Sequence, residues 1–340
     1  MIPLLASISG TTLTEDEKRW LAANRPAGII FFARNIAGKE QLRRLCDEIK
    51  NIVNSDEIIL AADQEGGRVR RLAEPDFLPY AAQAVLGKSG AEACRLHAGL
   101  ISCDMHRCGL NFNCAPVLDL YFAGADPVIG ERSLGNDEKK VAELGRVLAT
   151  TFAENAICPC IKHLPGHGRA MADSHFKLPV LRQSLKELER DFFPFMANND
   201  ALAGMTAHIV VSAIDENYPV TVSKKAIDGL LRGHIGFGGL LVSDAIEMQA
   251  LSGSIAEKGA AVWNAGCDLV CYCAGNMADL QALSAVCPKM SKQTEERLQK
   301  VWQTVLGRPK PQQYDRRRYD ELTGKTEQYC QKDDATAALL

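Results

Sequence analysis

The densest polar chemistry in the chain lies in Lys162-His-Leu-Pro-Gly-His-Gly-Arg-Ala-Met-Ala-Asp-Ser-His175, where Pro165, Gly166 and Gly168 break up a run of histidines, a lysine and an aspartate. Such a segment has no apolar face to bury. In Asp173-Ser-His175 a carboxylate stands close enough to an imidazole to fix its tautomer and raise its basicity, as in hydrolytic triads. A second candidate is Asp244, which ends the apolar run Leu240-Leu-Val-Ser. A carboxylate there serves as a nucleophile or general base, or else caps a following helix. Asp63-Gln-Glu-Gly-Gly-Arg-Val-Arg-Arg71 gathers acids and arginines around a glycine pair; Asp63 either meets sugar hydroxyls, pairs with Arg71, or caps the turn. Arg132 in Ile129-Gly-Glu-Arg-Ser-Leu-Gly135 is either a guanidinium held at a site by a loop or an ordinary surface arginine.

A zinc reading would recruit His163, His167, His175, His208 and Asp244, but amidohydrolase-like barrels carry H-x-H on their first strand and Leu4–Ser9 has none. No metal and no cofactor are expected. The twelve cysteines form no C-x-x-C pair and read as small buried hydrophobes with free thiols. With 46% hydrophobic and 24% charged residues among 340, disorder and coiled coil are excluded. A net charge of −3 without a basic stripe argues against nucleic acid. No apolar run is long enough for a membrane span, and the first ten residues lack the basic flank of a signal peptide. The expectation is a soluble, cytoplasmic protein, monomeric, acting on a small-molecule substrate without nucleic-acid or membrane partners.

These residues need a frame. Apolar runs at 3–9, 28–32, 57–62, 111–118, 157–163, 204–210, 239–243 and 268–273 read as strands buried on both faces, as in parallel sheets. Amphipathic segments at 15–23, 39–53, 91–108, 137–155, 186–198, 224–232 and 255–265 separate them. Eight strands alternating with helices predict an α/β fold, a single (β/α)8 TIM-type barrel over 1–305. A doubly wound sheet would show a Gly-rich turn after the first strand, and Ser9-Gly-Thr-Thr is not one. Residues 306–340, opening on a Pro-rich basic stretch, read as a C-terminal tail packing on or extending from the barrel. In such a barrel, chemistry collects at the C-terminal ends of strands, where every motif above falls.

Together the motifs Asp63-Gln-Glu-Gly-Gly-Arg-Val, Ala115-Pro-Val-Leu-Asp119, Ile129-Gly-Glu-Arg-Ser-Leu-Gly135, Lys162-His-Leu-Pro-Gly-His-Gly with Asp173-Ser-His175, and Leu240-Leu-Val-Ser-Asp244 resemble glycoside hydrolase family 3, over about residues 1–300. The resemblance is specifically to its single-domain bacterial β-N-acetylglucosaminidases. That resemblance implies Asp244 as nucleophile, His175 as acid/base and Asp173 as its partner. It implies that Asp63, Arg71, Arg132, Lys162 and His163 hold N-acetylglucosamine, and that the substrates are N-acetylglucosaminyl anhydro-muropeptides of cell-wall recycling. Three positions depart from the family pattern: Ala245 follows Asp244 where a second Asp is usual, Leu164 stands for Phe, and Arg169 adds a charge beside the acid/base loop. The competing class is a muropeptide-sensing barrel without turnover, against which Asp244, Asp173 and His175 all speak.

Overall fold

The computed structural model describes residues 1–174, 177–308, 311 and 313–324. Eight parallel strands close into a barrel: β1 (Ile2–Ala6), β2 (Pro26–Phe31), β3 (Ile59–Ala62), β4 (Phe112–Asn113), β5 (Cys158–Leu164), β7 (Ala203–Thr206), β9 (Leu240–Ala245) and β10 (Leu269–Tyr272), with β10 pairing back to β1. Two short strands, β6 (Val180–Leu181) and β8 (Val210–Val211), form a separate parallel pair. The strand period of two splits the core. Leu4, Ala6, Ile29 and Leu60 face the helices, whereas Leu5, Ile30, Ile59 and Val242 fill the barrel interior. That interior also holds free thiols, those of Cys114, Cys158, Cys160, Cys271 and Cys273.

The helices follow from their caps and stripes. α1 (Glu15–Asn24), α6 (Leu185–Met196) and α7 (Ile255–Ala265) each open on a Ser/Thr-x-x-Glu capping box, at Thr14, Ser184 and Ser254. In α2 (Lys39–Val53), Leu42, Leu45, Cys46, Ile49 and Val53 make one buried stripe. α4 (Ala91–Arg107) and α5 (Glu138–Glu154) complete the outer layer on the β3–β5 side, with the short α3 (Gln83–Ser89) between β3 and α4.

Three expectations are corrected. The segment 111–118 is not one regular strand: Pro116 has no N–H to give and Ala115 N turns back to Asn113 O, so only the carbonyls of Ala115 and Pro116 still pair, with Cys160 N and Lys162 N, before a bridge forms at Val117 opposite Lys162. There the Gln83 amide replaces the missing ladder, meeting both the N–H and the C=O of Val117. The run 204–210 leaves the barrel after Thr206 and rejoins as β8 on the outer pair. The helix expected at 224–232 is a π-helix, Ala226–His234, closed by Ile235 N on Leu230 O at 2.8 Å.

Among the described residues, three further helices lie beyond β10. α8 (Met277–Val286) packs beside α7, and α9 (Lys292–Leu306) lends Leu298, Val301, Trp302 and Val305 to the interior cluster, closing the N-terminal end of the barrel. The described part of the segment read as a tail is anchored. α10 (Arg316–Thr323) lies on α3 and α4 with Tyr319 fully buried, and the Tyr314 hydroxyl accepts a hydrogen bond from Asn155 at 2.7 Å.

Asp268 is the tie at that lower end. Its carboxylate accepts from Arg232 and Leu241 N on one oxygen, and from Thr294 and Arg297 of α9 on the other, each at 2.8 Å. Removing one partner of a buried ion pair strands the other, at about 3–5 kcal/mol. Asp268→Ala should therefore lower the thermal midpoint strongly while leaving KM unchanged below unfolding, because the lower end carries no site residue; thermal scans and steady-state kinetics check both.

Candidate functional site

At the upper, C-terminal end of the strands, β3 runs into a turn that its own side chains close. Gln64 Oε1 accepts from Arg71 N at 2.9 Å and Leu72 N at 3.0 Å, and Asn113 brackets Gln64 with two further bonds. Gly66 is required here: its φ is +96°, and a Cβ would lie 2.3 Å from Ala81 O. The turn thereby presents Asp63 and Glu65 to the end of β5. Lys162 Nζ meets Asp63 Oδ1 at 2.8 Å and Glu65 Oε1 at 2.6 Å. Arg132 grips the same Glu65 with two bonds of 2.8 Å, and Arg71 reaches Asp63 at 3.4 Å while lying over the Phe32 ring.

Burial pulls against charge throughout this lattice, and pairing wins. It pushes the Glu65 carboxyl up, but Arg132 and Lys162 outweigh it and hold Glu65 well below the ordinary value. It pushes Lys162 down, but Asp63 and Glu65 hold the ammonium above its ordinary value. Glu65, Lys162 and Arg132 stay ionised at neutral pH. Arg132 is thus no surface arginine, and the Asp63 carboxylate, rather than capping the turn, is engaged by Lys162 and Arg71.

A second buried acid organises the loop after β5. Asp119 is fully buried and accepts from His163 Nδ1 at 2.6 Å and from His167 N at 2.6 Å. Burial raises its carboxyl, and His163 and His167 together more than reverse that. Arg132 lies 3.4 Å from His163 Nε2, and a guanidinium only donates, so His163 carries its proton on Nδ1 and offers Nε2 as acceptor. Burial takes His167 down to about 4, leaving a neutral ring whose Nε2 meets Ser174 Oγ at 3.2 Å. Gly168 has no room for a side chain, since a Cβ would lie 1.8 Å from Leu120 O. Arg169 pairs with the buried Asp191 through two bonds, at 3.2 and 2.7 Å, and stacks on Phe122. Asp173 sits on the same loop, its carbonyl accepting from Lys177 N at 3.0 Å. His175 lies outside the described residues.

Asp244 enters from the opposite wall, at the end of β9. Its Oδ1 accepts from Ala245 N at 2.8 Å. It caps no helix: α7 begins at Ile255 on its own cap, Ser254. Beside it Glu247 accepts from Cys273 N at 2.7 Å, and its second oxygen is buried without a hydrogen bond. Burial lifts this carboxyl to about 7, and the charge of Asp244 adds to the rise. His208 is engaged elsewhere, with Nδ1 on Thr221 and Nε2 on the Ala245 carbonyl. Among the described residues no group of three or more His, Cys, Asp or Glu side chains is placed to hold a metal ion.

One cavity is therefore lined by Asp63, Arg71, Arg132, Lys162, His163 and Asp244, all singled out from sequence. Asp173 is not on its wall. His167, Ser174 and Glu247 are on it too; Ser174 and Glu247 were given no role from sequence and His167 only that of a zinc ligand, although His167 and Ser174 sit inside the polar segment after β5. Glu65 was passed over too, although it shares a motif with Asp63. The arrangement is a set of donors and acceptors around a small polar ligand, with one carboxylate entering from the side.

The match to the model of the glycosyl hydrolase family 3 N-terminal domain spans residues 4–307. A beta-hexosaminidase of Neisseria meningitidis is 38% identical over 291 residues, covering 82% of this chain and 79% of that one. NagZ from Neisseria gonorrhoeae, solved in complex with N-trifluoroacetyl-D-glucosamine, superposes with a TM-score of 0.81 at 34% identity, over 88% of this chain and 89% of that one. A glycoside hydrolase family 3 beta-N-acetylglucosaminidase from Paenibacillus sp. superposes at 0.83 with 29% identity, over 94% of this chain; the chain spans 66% of that longer protein, just under two thirds. The chain belongs to glycosyl hydrolase family 3, on its NagZ-type beta-hexosaminidase branch.

Proposed function

We propose that the chain is a retaining exo-β-N-acetylglucosaminidase that removes non-reducing terminal N-acetylglucosamine from anhydro-muropeptides, in the cytoplasm, as part of peptidoglycan recycling. The observation that carries this reading is the placement of Asp244 across one cavity from the Asp63–Lys162–Glu65–Arg132 lattice. Sugar hydroxyls both donate and accept, so a ring of fixed charges with Arg71 and His163 beside it suits a terminal pyranose. The neighbour from Neisseria gonorrhoeae holding N-trifluoroacetyl-D-glucosamine supports the same sugar class. In this reading Asp244 attacks the anomeric carbon and the leaving oxygen takes a proton from His175, which Asp173 orients. The glycosyl–Asp244 ester then breaks as His175 accepts a proton from the attacking water. Two inversions at one carbon return the β-configuration.

The first test compares 4-nitrophenyl N-acetyl-β-glucosaminide with the corresponding glucoside. The acetamido sugar should win in kcat/KM by orders of magnitude, and proton NMR should show the β-anomer released first; equal rates or an initial α-product would overturn the assignment. Asp244→Asn should fall by several orders of magnitude in kcat with the fold intact, since the covalent step has no substitute nucleophile.

Proton donation matters most when the departing oxygen is basic. His175→Ala should therefore slow poor leaving groups far more than nitrophenolate, and Asp173→Ala should repeat the pattern more mildly. Equal losses across a leaving-group series would place the donor elsewhere.

Glu247 adds a pH signature. Its carboxyl ionises near 4.5 when unfolded and near 7 when folded, so the folded state holds the proton more tightly. Its contribution to stability is full below 4.5, declines as pH rises, and levels off above 7. Glu247→Gln should match the wild type in thermal midpoint at the acid end and exceed it at the alkaline end, read from melts across that range.

A further inference from the structure

α10 lies beyond residue 307, where the family match ends, yet its one fully buried side chain reaches toward the sugar site. The Tyr319 hydroxyl accepts from Ala81 N at 2.8 Å and stands 3.0 Å from His97 Nδ1. His97 Nε2 stands 2.9 Å from the backbone carbonyl of Glu65. A carbonyl only accepts, so Nε2 carries the proton, Nδ1 is the acceptor, and the tyrosine hydroxyl donates to it. The chain of bonds has a single direction, from Tyr319 through His97 to Glu65. Burial takes His97 down to about 4, which keeps that tautomer neutral.

The junction has no slack. A Cβ on Gly66 would lie 2.9 Å from His97 Cε1, and Gly67 N donates to Tyr80 O at 2.9 Å, tying the two segments that Tyr319 bridges. Arg316 of the same helix lies over both the Tyr80 and Tyr319 rings and donates to Pro79 O. Glu65 in turn is the residue on which Lys162 and Arg132 converge.

We propose that Tyr319 and His97 are positioning residues for the sugar site: the C-terminal helix, through Tyr319 and His97, fixes the main chain of Glu65 and so the placement of Lys162 and Arg132. The proposal rests on the functional reading above and extends the site to an element outside the family match. Loss of the tyrosine hydroxyl leaves Ala81 N unpaired and frees the imidazole to turn, which loosens the turn carrying Glu65 without touching Asp244.

The experiment sets Tyr319→Phe and His97→Ala beside His97→Gln, whose amide keeps one acceptor and one donor, and beside Leu322→Ala, which loosens α10 outside the bond chain. Binding of N-acetylglucosamine, kcat, KM and amide hydrogen exchange are measured for each. A net hydrogen bond corresponds to roughly a 3- to 10-fold change, so Tyr319→Phe and His97→Ala should weaken sugar binding by about that factor, mostly in KM. Exchange at the Glu65–Gly67 amides should quicken, His97→Gln should recover part of the loss, and Leu322→Ala should lower the thermal midpoint without moving sugar affinity. Wild-type exchange at those amides in Tyr319→Phe overturns the proposal, as does wild-type sugar affinity there. Should the wild type itself not bind N-acetylglucosamine, the functional reading fails, and exchange at Glu65–Gly67 still decides the positioning role.

Discussion

Glu65 is a carboxylate with almost no exposure, and everything at the upper end of the barrel is arranged around keeping it charged. An ion taken out of water is stable only when oppositely charged donors saturate it. Here the donors come from two separate loops and strands, Lys162 from β5 and Arg132 from the segment after β4. The attraction that stabilises Glu65 therefore brings together sequence positions that share no local structure. Lys162 passes the constraint on to Asp63, and Arg132 passes it on to His163, whose ring is oriented from behind by Asp119. A binding wall results in which no charge can be moved alone.

That interdependence explains which parts were legible in the chain. The eight strands were readable because parallel barrel strands are largely apolar on both faces: β2 is an unbroken run, β5 is apolar up to Ile161, and β9 opens on Leu240-Leu-Val242. The amphipathic segments at 15–23, 186–198 and 255–265 likewise fall on α1, α6 and α7. Strand β4 was not readable at its true length. Whether residues after a proline rejoin a ladder depends on a distant partner, here Gln83, and no local pattern carries that information. The departure of 207–211 onto an outer pair is likewise set by β6, far away in sequence.

The site shows the same division. Asp63, Arg71, Arg132, Lys162, His163 and Asp244 were found because they end apolar runs or crowd into glycine-broken segments, and the fold gathers them into one cavity. Glu65 and Glu247 escaped notice for a physical reason. Glu65 matters through partners that only folding supplies, and Glu247 looks from sequence like an ordinary acid beside an apolar residue. His97 and Tyr319, more than two hundred positions apart, hydrogen-bond only because α4 and α10 are neighbours in the fold. Arg169 was visible as an odd charge, but its partner Asp191 and its stacking on Phe122 were not.

The thiols inside the barrel carry one more consequence. Cys114, Cys158 and Cys160 are sealed by the strands around them and by α9 below, and burial lifts each of these thiols above its ordinary pKa, whereas Cys271 and Cys273 line the cavity. A water-soluble alkylating reagent reaches the three sealed thiols only when strands part, and it reacts with the thiolate that exposure then makes available. These three positions, two on β5 and one just after β4, thus form a chemical clock for barrel opening, readable by mass, which times the breathing of that wall without reference to any substrate.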